Sequence, residues 1–295
     1  MSSRRFRARP AAILDVARSV VEHPANRGRR ARALGSLATA EIRARVTGKP
    51  VVTTIGERTR IRAYLHRGGS WRVVRANPPD FAEMTVWRRH LRPGDLFVDV
   101  GAHAGVYTLW ALDCGAVGIA VEPEPRMVEQ LRENLALNHA ETRVQVVAAA
   151  LGAEPGRLRL AGPDLLRGQL VFGPTDDGAA GVSNAGASDA AGVEVRVDTL
   201  DAVLGDRHAR GLKIDVEGAE RLVLEGGARA FADGRIDLVQ LEWNDCSQSL
   251  LGEDRSPVAE RLRSYGYELY RADERGELVP TDDLGFGPDL FARRP

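Results

Sequence analysis

The sequence predicts an α/β fold in which helices cover both faces of a mostly parallel sheet. Three observations predict this class. Short apolar runs alternate with helical patterns from residue 97 onward. The runs are almost continuously apolar, as expected of strands that are buried on both faces. The first run also ends in a glycine turn that leads directly into a helix, which is typical of doubly wound sheets.

Residues 1–49 are expected to form a basic extension with two helices, over 11–23 and 31–46. The extension holds twelve Lys or Arg residues and three Asp or Glu residues. The first helix has apolar residues at helical spacing and ends before Pro24. We expect two cap helices with solvated arginine faces. The alternative is a contact with a membrane surface or a nucleic acid, because basic amphipathic helices can serve either role.

Residues 50–79 are expected to form a meander of three antiparallel strands. The segments VVTTI, RIRAYLH and WRVVRA are rich in β-branched and aromatic residues, and the turn-forming segments GERT and RGGS separate them. Pro78 and Pro79 end the meander. Asp80 then suits the N-cap position of a short helix over 80–91. The extension and the meander together predict an N-terminal cap of helices and antiparallel strands.

Residues 80–295 carry the alternating pattern of the main domain. The predicted strands are 97–101, 118–122, 144–151, 212–216, 236–243, 267–272 and 289–294. The predicted helices are 105–113, 126–138, 219–231 and the segment SPVAERLRSYG. One segment, 161–192, is rich in Gly, Ala, Asp and Ser and has no sustained period. A loop of that length inside a compact domain is expected to be a functional lid or a disordered segment.

Composition and charge exclude several classes of protein. The 295 residues have a formal net charge of zero, so no overall field directs the protein to nucleic acid. Cys114 and Cys246 lack the spacing of a metal site and indicate a reducing compartment. No apolar run reaches the roughly 18–20 residues that a membrane-spanning helix needs. We expect a cytoplasmic protein that acts on a small molecule; the oligomeric state stays open.

The stretch FVDVGAHAGVYTL, residues 97–109, predicts a ligand site at the end of the first strand of this sheet. Gly101 ends the strand and Gly105 opens the following helix, and glycines let a backbone approach a ligand closely. Asp99 lies at the strand end. Glu122 ends the second strand, where an acid can accept both ribose hydroxyls of a cofactor. This turn therefore suits a ligand that contains adenosine.

The spacing of the glycines distinguishes between adenosine-containing cofactors. A dinucleotide fingerprint needs glycines at 103 and 106, where this chain has His103 and Val106. The missing glycines are those that bring a pyrophosphate onto the helix N-terminus. The chain has no P-loop lysine motif, which argues against ATP. S-adenosylmethionine has no phosphates and fits the D-x-G-x-x-x-G turn, while an NAD-dependent oxidoreductase and a non-catalytic cofactor-binding module remain as alternatives.

Two separate segments then carry a specific resemblance. LRPGDLFVDVGAHAGVYTL resembles the first motif of the FkbM-type family of S-adenosylmethionine-dependent methyltransferases, a PGD-x-x-x-D-x-GA-[NH]-x-G pattern. VRVDTLDAVL followed by LKIDVEGAERLVLEGG resembles the second signature of the family, and PDLFARR resembles its last strand. The resemblance covers residues 80–293. It implies a class I methyltransferase (Rossmann-like) fold with a seven-stranded sheet whose last strand is antiparallel, and O-methylation of hydroxyls on sugars or secondary metabolites.

The segment LKIDVEGAE offers the best candidates for catalysis. Methyl transfer is an in-line displacement, so the protein must align the acceptor oxygen and receive its proton. Lys213, Asp215 and Glu217 are spaced by two and share one side of an extended segment. We expect Asp215 to be the base or the group that orients the acceptor, with Glu217 second and Lys213 keeping Asp215 ionised. The alternative is an ion pair of Lys213 and Glu217 that braces the strand end.

The next strand ends in LEWND, which offers candidates for acceptor binding. Glu242 and Asn244 are expected on the same rim, where they suit a sugar hydroxyl; a strand-end cap is the alternative. With Asp215 they also have the hard oxygen ligands that Mg²⁺ prefers. Nothing in their spacing requires a metal, and we predict none.

Four further residues are candidates for cofactor contacts, each with a structural alternative. His103 follows the glycine turn and suits the methionine carboxylate or the acceptor. Thr108, beside Tyr107 on the first helical turn, suits the cofactor or caps the helix. Glu83 suits the methionine amino group or a solvated helix face. Ala149, with Ala148 at the end of the third strand, leaves room for the adenine edge or packs against a helix.

Overall fold

The computed structural model describes residues 10–65, 69–160, 192–245, 252 and 254–295. The predicted loop over 161–192 falls outside the described residues except for its last position, as does Cys246. No helix among the described residues is long and apolar enough to cross a membrane.

The described elements follow the predicted alternation of strands and helices. The helices are α1 (Pro10–Glu22), α2 (Arg30–Thr47), α3 (Arg72–Arg75), α4 (Phe81–His90), α5 (Val106–Asp113), α6 (Pro125–Leu137), α7 (Leu200–Leu204), α8 (Glu220–Gly226), α9 (Ala228–Ala232) and α10 (Ser256–Ser264). The strands are β1 (Val51–Ile55), β2 (Thr59–Ala63), β3 (Leu96–Val100), β4 (Val117–Val121), β5 (Val144–Val147), β6 (Ala150–Leu151), β7 (Gly156–Leu160), β8 (Val193–Asp198), β9 (Ala209–Ile214), β10 (Ile236–Leu241), β11 (Glu268–Ala272), β12 (Leu278–Pro280) and β13 (Leu290–Arg293).

Eight strands form the main sheet, in the order β12-β11-β13-β10-β9-β3-β4-β5. The five strands from β10 to β5 are parallel to one another, and β13 runs antiparallel between β10 and β11. The predicted α/β fold of the class I methyltransferase type, with a reversed last strand, is therefore confirmed. The short strand β12 adds an eighth member by pairing with the edge of β11.

The cap differs from the predicted meander of three strands. The antiparallel hairpin of β1 and β2 is present, but the segment WRVVRA forms the end of a 3₁₀ helix and α3. Trp71 is buried in the core of the cap, and Val73 is buried against the main domain. Packing on two sides therefore overrides the strand propensity of the β-branched residues, which is strongly dependent on context.

Two predicted elements of the main domain are divided. The predicted strand 144–151 separates into β5 and β6, because the amide of Ala149 bonds to the carbonyl of Val147 at 3.1 Å and turns the chain out of the main sheet. β6 instead joins β8 and β7 in a three-stranded sheet. The predicted helix 219–231 separates into α8 and α9 at a pair of glycines. A Cβ on Gly226 would lie 2.0 Å from the carbonyl oxygen of Gly152, so this close approach requires glycine.

The core lies on both faces of the main sheet, as expected of alternating side chains. Val98 and Leu212 belong to the cluster that α8, α9 and α10 cover, whereas Phe97 packs on the other face with Trp87 of α4. The rings of Trp87 and Phe97 meet edge to face, with centroids 4.9 Å apart. The carboxyl ends of the central strands are thus held between two packed layers.

Asp113, the last residue of α5, joins the cap to the main domain. Its side chain is fully buried and accepts hydrogen bonds from the main-chain amides of Glu57, Arg58 and Thr59 in the β1–β2 turn. Arg88 of α4 pairs with the same carboxylate at 2.6 Å. Burial alone would raise the pKa of Asp113, but these donors outweigh it and lower the pKa.

Candidate active site

A cleft of ≈ 280 Å³ opens at the carboxyl ends of the central parallel strands. Its lining brings together most of the residues predicted from the sequence, namely Asp99, Gly101, His103, Glu122, Ala149, Lys213, Asp215, Glu217 and Glu242. Four predicted residues, Glu83, Gly105, Thr108 and Asn244, are not part of the lining. Three of these support lining residues or the turn between them, and Glu83 lies half-buried on α4.

The glycine turn brings the ends of β3 and β9 together. Gly101 has a φ of +80°, and a Cβ there would lie 1.8 Å from the main-chain oxygen of Asp215. Gly105 has a φ of +91°, and a Cβ there would lie 2.6 Å from Leu131 of α6. Both positions therefore require glycine for packing within the protein. The sequence predicts a close approach to a ligand at these glycines. The atoms that an added Cβ would meet belong instead to the protein itself.

Glu122 ends β4 and is held by main-chain amides. One carboxylate oxygen accepts from the amide of His103 at 2.8 Å, and the other accepts from the amide of Glu124 at 2.8 Å. The side chain is only 6% exposed. Burial raises the pKa of Glu122 to about 7, against the opposing effect of the two amide donors. Each oxygen keeps a second lone pair, which is the acceptor capacity that two ribose hydroxyls require.

Asp99 and His103 place two further polar groups on this side of the cleft. The hydroxyl of Thr108 donates to Asp99 at 2.6 Å, so Thr108 orients Asp99 from behind. Burial raises the pKa of Asp99 and lowers that of His103, so the imidazole is favoured in its neutral form. The Nδ1 atom of His103 is buried and has no hydrogen-bond partner among the described residues. A buried polar atom without a partner indicates that a ligand group completes the site.

Lys213 and Asp215 form an ion pair at the end of β9, the strand that pairs with β3. The Lys213 Nζ atom lies 2.6 Å from Asp215 Oδ2 and 4.6 Å from the centroid of the Tyr107 ring. Burial alone would lower the pKa of Lys213, but the carboxylates of Asp215 and Asp99 outweigh it and raise the pKa. The lysine is therefore a fixed positive charge beneath Asp215. It pairs with Asp215, as the first of the two sequence-based interpretations expects.

Asp215, Glu217 and Glu242 gather three carboxylates at the ends of β9 and β10. One oxygen atom from each residue lies within 4.8 Å of the other two. Burial and then the charges of Asp215 and Glu217 raise the pKa of Glu242 to about 9. Burial would also raise the pKa of Asp215, but Lys213 outweighs it and lowers the pKa. At neutral pH, Glu242 is therefore protonated and donates to an ionised Asp215.

Asn244 acts on this group from outside the cleft. Its side-chain amide donates to Glu242 Oε2 at 2.7 Å, so it orients the carboxyl group. The close spacing of the carboxylate oxygens also suits a divalent cation. Groups of exposed acids are common without an ion, and the Lys213 charge already balances part of this one.

The structure adds lining residues that the sequence interpretation missed. Arg72 of α3 and Asp80 before α4 form an ion pair in the cleft wall, so the cap completes the site. The sequence marks Asp80 only as an N-cap, and no motif marks Arg72. Glu124 also lines the cleft and caps α6 by accepting from the amides of Arg126 and Met127. An acid directly before Pro125 at a helix start is a recognisable capping signal.

A buried polar chain extends from the cleft residue Tyr107 to Asp289. The side-chain amide of Gln240 donates to Asp289 at 2.6 Å and to the Tyr107 hydroxyl at 3.1 Å, while the indole of Trp87 donates to its oxygen. Burial raises the pKa of Asp289 to about 7, and Lys213 opposes this rise. This chain connects the Tyr107 ring beneath Lys213 to the reversed strand β13.

The arrangement fits S-adenosylmethionine on several counts. Glu122 supplies paired acceptors for ribose hydroxyls, and the buried alanine Ala149 leaves room beside them. The unpartnered Nδ1 atom of His103 and the carboxylate of Asp99 lie in the same lining. The acids around the cleft complement the positive charge of a sulfonium.

The comparisons with known proteins agree with this chemistry. A family model described as the methyltransferase FkbM domain matches residues 99–269. A search of curated proteins found no match.

A search of solved structures also matches methyltransferases, at low sequence identity and with TM-scores below 0.5. The precorrin-6Y C5,15-methyltransferase of Geobacter metallireducens is 13% identical, with a TM-score of 0.39 over 72% of this chain and 86% of that one. A TehB-like methyltransferase of Corynebacterium glutamicum is 10% identical, with a TM-score of 0.41 over 73% and 88%. A SAM-dependent O-methyltransferase of Thermotoga maritima is 11% identical, with a TM-score of 0.38 over 74% and 66%.

The family match spans more than half of the chain, and it includes the glycine turn, Glu122 and the carboxylates at the ends of β9 and β10. The chain therefore belongs to the methyltransferase FkbM domain family, and its methyl donor is S-adenosylmethionine.

Proposed function

We propose that the protein transfers a methyl group from S-adenosylmethionine to a hydroxyl of a sugar or a secondary metabolite. One observation carries this proposal: carboxylate oxygens of Asp215 and Glu242 lie within 4.8 Å of each other, and the buried Lys213 lies 2.6 Å from Asp215. Lys213 lowers the pKa of Asp215, whereas burial raises that of Glu242. Two carboxyl groups whose pKa values are driven apart are the usual mark of separate proton-handling roles. They line the same cleft as Gly101 and Glu122, which form the donor side.

The donor supplies a methyl group that is already activated as a sulfonium, so the protein's task is to prepare the acceptor. Asp215 would accept a hydrogen bond from the acceptor hydroxyl and take up the proton that this hydroxyl loses. Lys213 keeps Asp215 ionised before that step. Glu242, protonated at neutral pH, donates a hydrogen bond that holds Asp215 or a second acceptor oxygen in place.

The lining supports a polar acceptor of modest size. Carboxylates accept hydrogen bonds from several hydroxyls at once, which suits a polyol. Arg72 of the cap and Asp80 of the main domain add to the wall, and their ion pair offers both a donor and an acceptor. The cleft volume of ≈ 280 Å³ suits a small molecule rather than a polymer segment.

An acceptor panel tests the proposal. Purified protein is incubated with S-adenosylmethionine and sugars, amino sugars and hydroxylated natural products, and S-adenosylhomocysteine formation is measured. We expect Asp215→Asn to lower kcat by about 10²- to 10³-fold, the usual contribution of a positioned base. The affinity for S-adenosylhomocysteine should stay within about twofold, because the ribose acceptor Glu122 is untouched.

Asp237→Asn is the matched control. Asp237 lies on β10 and pairs with Arg210 at 2.7 Å. It follows Ile236, the first residue of β10 to pair with β9, and so lies at the amino ends of these strands, away from the cleft. It should leave kcat unchanged. Retention of full activity by Asp215→Asn would remove this residue from the mechanism. Binding of S-adenosylhomocysteine without methylation of any panel member would favour a non-catalytic binding module.

A further inference from the structure

Two fully buried charged residues lie directly behind the acceptor side of the cleft. Glu220 in the first turn of α8 is 0% exposed, and Arg255 before α10 is 1% exposed. Their side chains form an ion pair. Neither residue lines the cleft, and they are 35 residues apart in the sequence. Neither residue takes part in the proton transfer described for Asp215 and Glu242.

Glu220 holds the loop that follows β9. Its second carboxylate oxygen accepts from the main-chain amide of Val216 at 3.3 Å and from that of Gly218 at 3.2 Å. These amides flank Glu217, and Val216 directly follows Asp215. The buried carboxylate therefore fixes the main chain on both sides of Glu217 and directly after Asp215.

Arg255 holds the segment that follows β10. Its guanidinium donates to the main-chain oxygen of Glu242 at 3.0 Å, to that of Asn244 at 3.0 Å and to the Asn244 side-chain oxygen at 3.2 Å. It also lies over the ring of the buried Trp243, 5.3 Å from its centroid. One planar side chain thus fixes the main chain at Glu242 and at Asn244. The Asn244 side chain in turn orients the Glu242 carboxyl group.

We propose that the Glu220–Arg255 pair is a positioning device that sets the separation of the Asp215 and Glu242 carboxyl groups. The pair joins the two loops through four main-chain contacts, at Val216, Gly218, Glu242 and Asn244. The inference deepens the proposed function and rests on it, since it assigns these two loops to the acceptor side.

The energetics favour a geometric role for the pair over a general contribution to stability. A buried ion pair has a large desolvation cost, and apolar residues of similar volume often stabilise a fold equally well or better. Charged partners with several directional hydrogen bonds instead define one arrangement of the main chain. A displacement of about 1 Å at reacting groups is sufficient to lower a rate about 100-fold.

The test compares Glu220→Gln and the double variant Glu220→Gln/Arg255→Met with Glu225→Gln. Glu225 lies on the same helix, and it pairs with Arg221 and Arg261 away from both loops. The double variant removes the unpaired arginine that makes the single variant prone to unfold. We expect kcat to fall about 10- to 100-fold in both Glu220 variants, with acceptor KM within about threefold. Glu225→Gln should keep the kcat of the wild type.

Two measurements separate positioning from a loss of fold. S-adenosylhomocysteine affinity should be retained in the double variant, because the donor side does not contact the pair. The amides of Val216 and Gly218 should exchange hydrogen about tenfold faster, whereas the amides within β3 and β4 keep their protection. Added acetate should not restore activity to the Glu220 variants, because Glu220 and Arg255 are closed to solvent.

Three results would overturn the inference: wild-type kcat in the folded double variant, an equal loss of kcat in Glu225→Gln, or unchanged exchange at Val216 and Gly218. The exchange measurement needs no acceptor. If the wild type methylates no hydroxyl, the proposed function fails while faster exchange in the Glu220 variants still supports the joining of the two loops.

Discussion

The two sides of the cleft are built by different means. On the donor side, the Gly101 turn and the amides that bind Glu122 fix the geometry through the main chain. On the acceptor side, the Lys213 charge and the proton on Glu242 fix the state of Asp215 through side chains. A site built from the main chain is intolerant of added atoms. A site built from side-chain charges is sensitive to pH.

The largest effect is expected where the two sides meet, at Gly101. In Gly101→Ala, the added methyl would collide with the Asp215 carbonyl at 1.8 Å, and the φ of +80° is unfavourable for alanine. We expect a loss of at least about 3 kcal/mol in the free energy of unfolding, measured by denaturant titration.

Gly48→Ala separates the contribution of backbone strain from that of the collision. Gly48 has a φ of +65° and no atom within 4 Å of an added Cβ. Gly48→Ala should lower the free energy of unfolding by about 1 kcal/mol. Equal losses in the two variants would mean that strain alone makes glycine necessary at Gly101.

The next effect concerns the donor side alone. In Glu122→Gln, one carboxylate oxygen becomes an NH₂ group that faces a main-chain N–H donor, so one hydrogen bond is lost. Only one oxygen is then left to accept from the ribose hydroxyls. We expect affinity for S-adenosylhomocysteine to fall about tenfold, measured by calorimetry. At saturating donor, kcat should change little. A fall in kcat as large as that in affinity would contradict the separation of the two sides.

The acceptor side should instead respond to pH. The proposed mechanism needs Asp215 ionised and Glu242 protonated, and burial raises the pKa of Glu242 to about 9. We expect kcat to decline as pH rises through about 9. Glu242→Gln keeps a hydrogen-bond donor that does not titrate, so its alkaline decline should disappear. An unchanged alkaline decline in that variant would assign the titration to another group.

The smallest effect is a pH dependence of stability on the donor side. The pKa of Glu122 is about 7 in the folded protein, above its ordinary value of 4.5. The folded state therefore favours the proton, and this stabilisation is complete below pH 4.5 and lost as pH rises through about 7. Glu122→Gln should show a smaller decline in denaturation midpoint over this range. Identical declines would show that Glu122 titrates at its ordinary pKa.

The main sheet and most of the cleft could be predicted from the sequence because both depend on local patterns. Apolar runs define the strands, and parallel strands end at one edge, so residues after each run must converge there. Asp215 and Glu242 lie in the cleft for this reason. Gly101 was correctly identified as special, although the atom that requires it is the Asp215 carbonyl.

The remaining features depend on contacts between distant segments. Arg72 and Asp80 reach the cleft only because the cap folds against the main domain, and the segment around Arg72 was predicted as a strand. Arg255 is one arginine among many in the sequence, and only the fold shows that it is buried against Glu220. Patterns along the chain contain little information on such pairings.

The contact at Asp113 has a consequence for how this architecture can diversify. Asp113 binds the β1–β2 turn through main-chain amides, which all residues except proline possess. The side chains of Glu57 and Arg58 are therefore free to change while the attachment persists, whereas a Cβ on Gly56 would lie 2.2 Å from Asp113 Oδ2. Because the cap supplies Arg72 to the cleft wall, we expect substitutions in the cap to change the acceptor preference and leave Glu122 and the glycine turn unaltered.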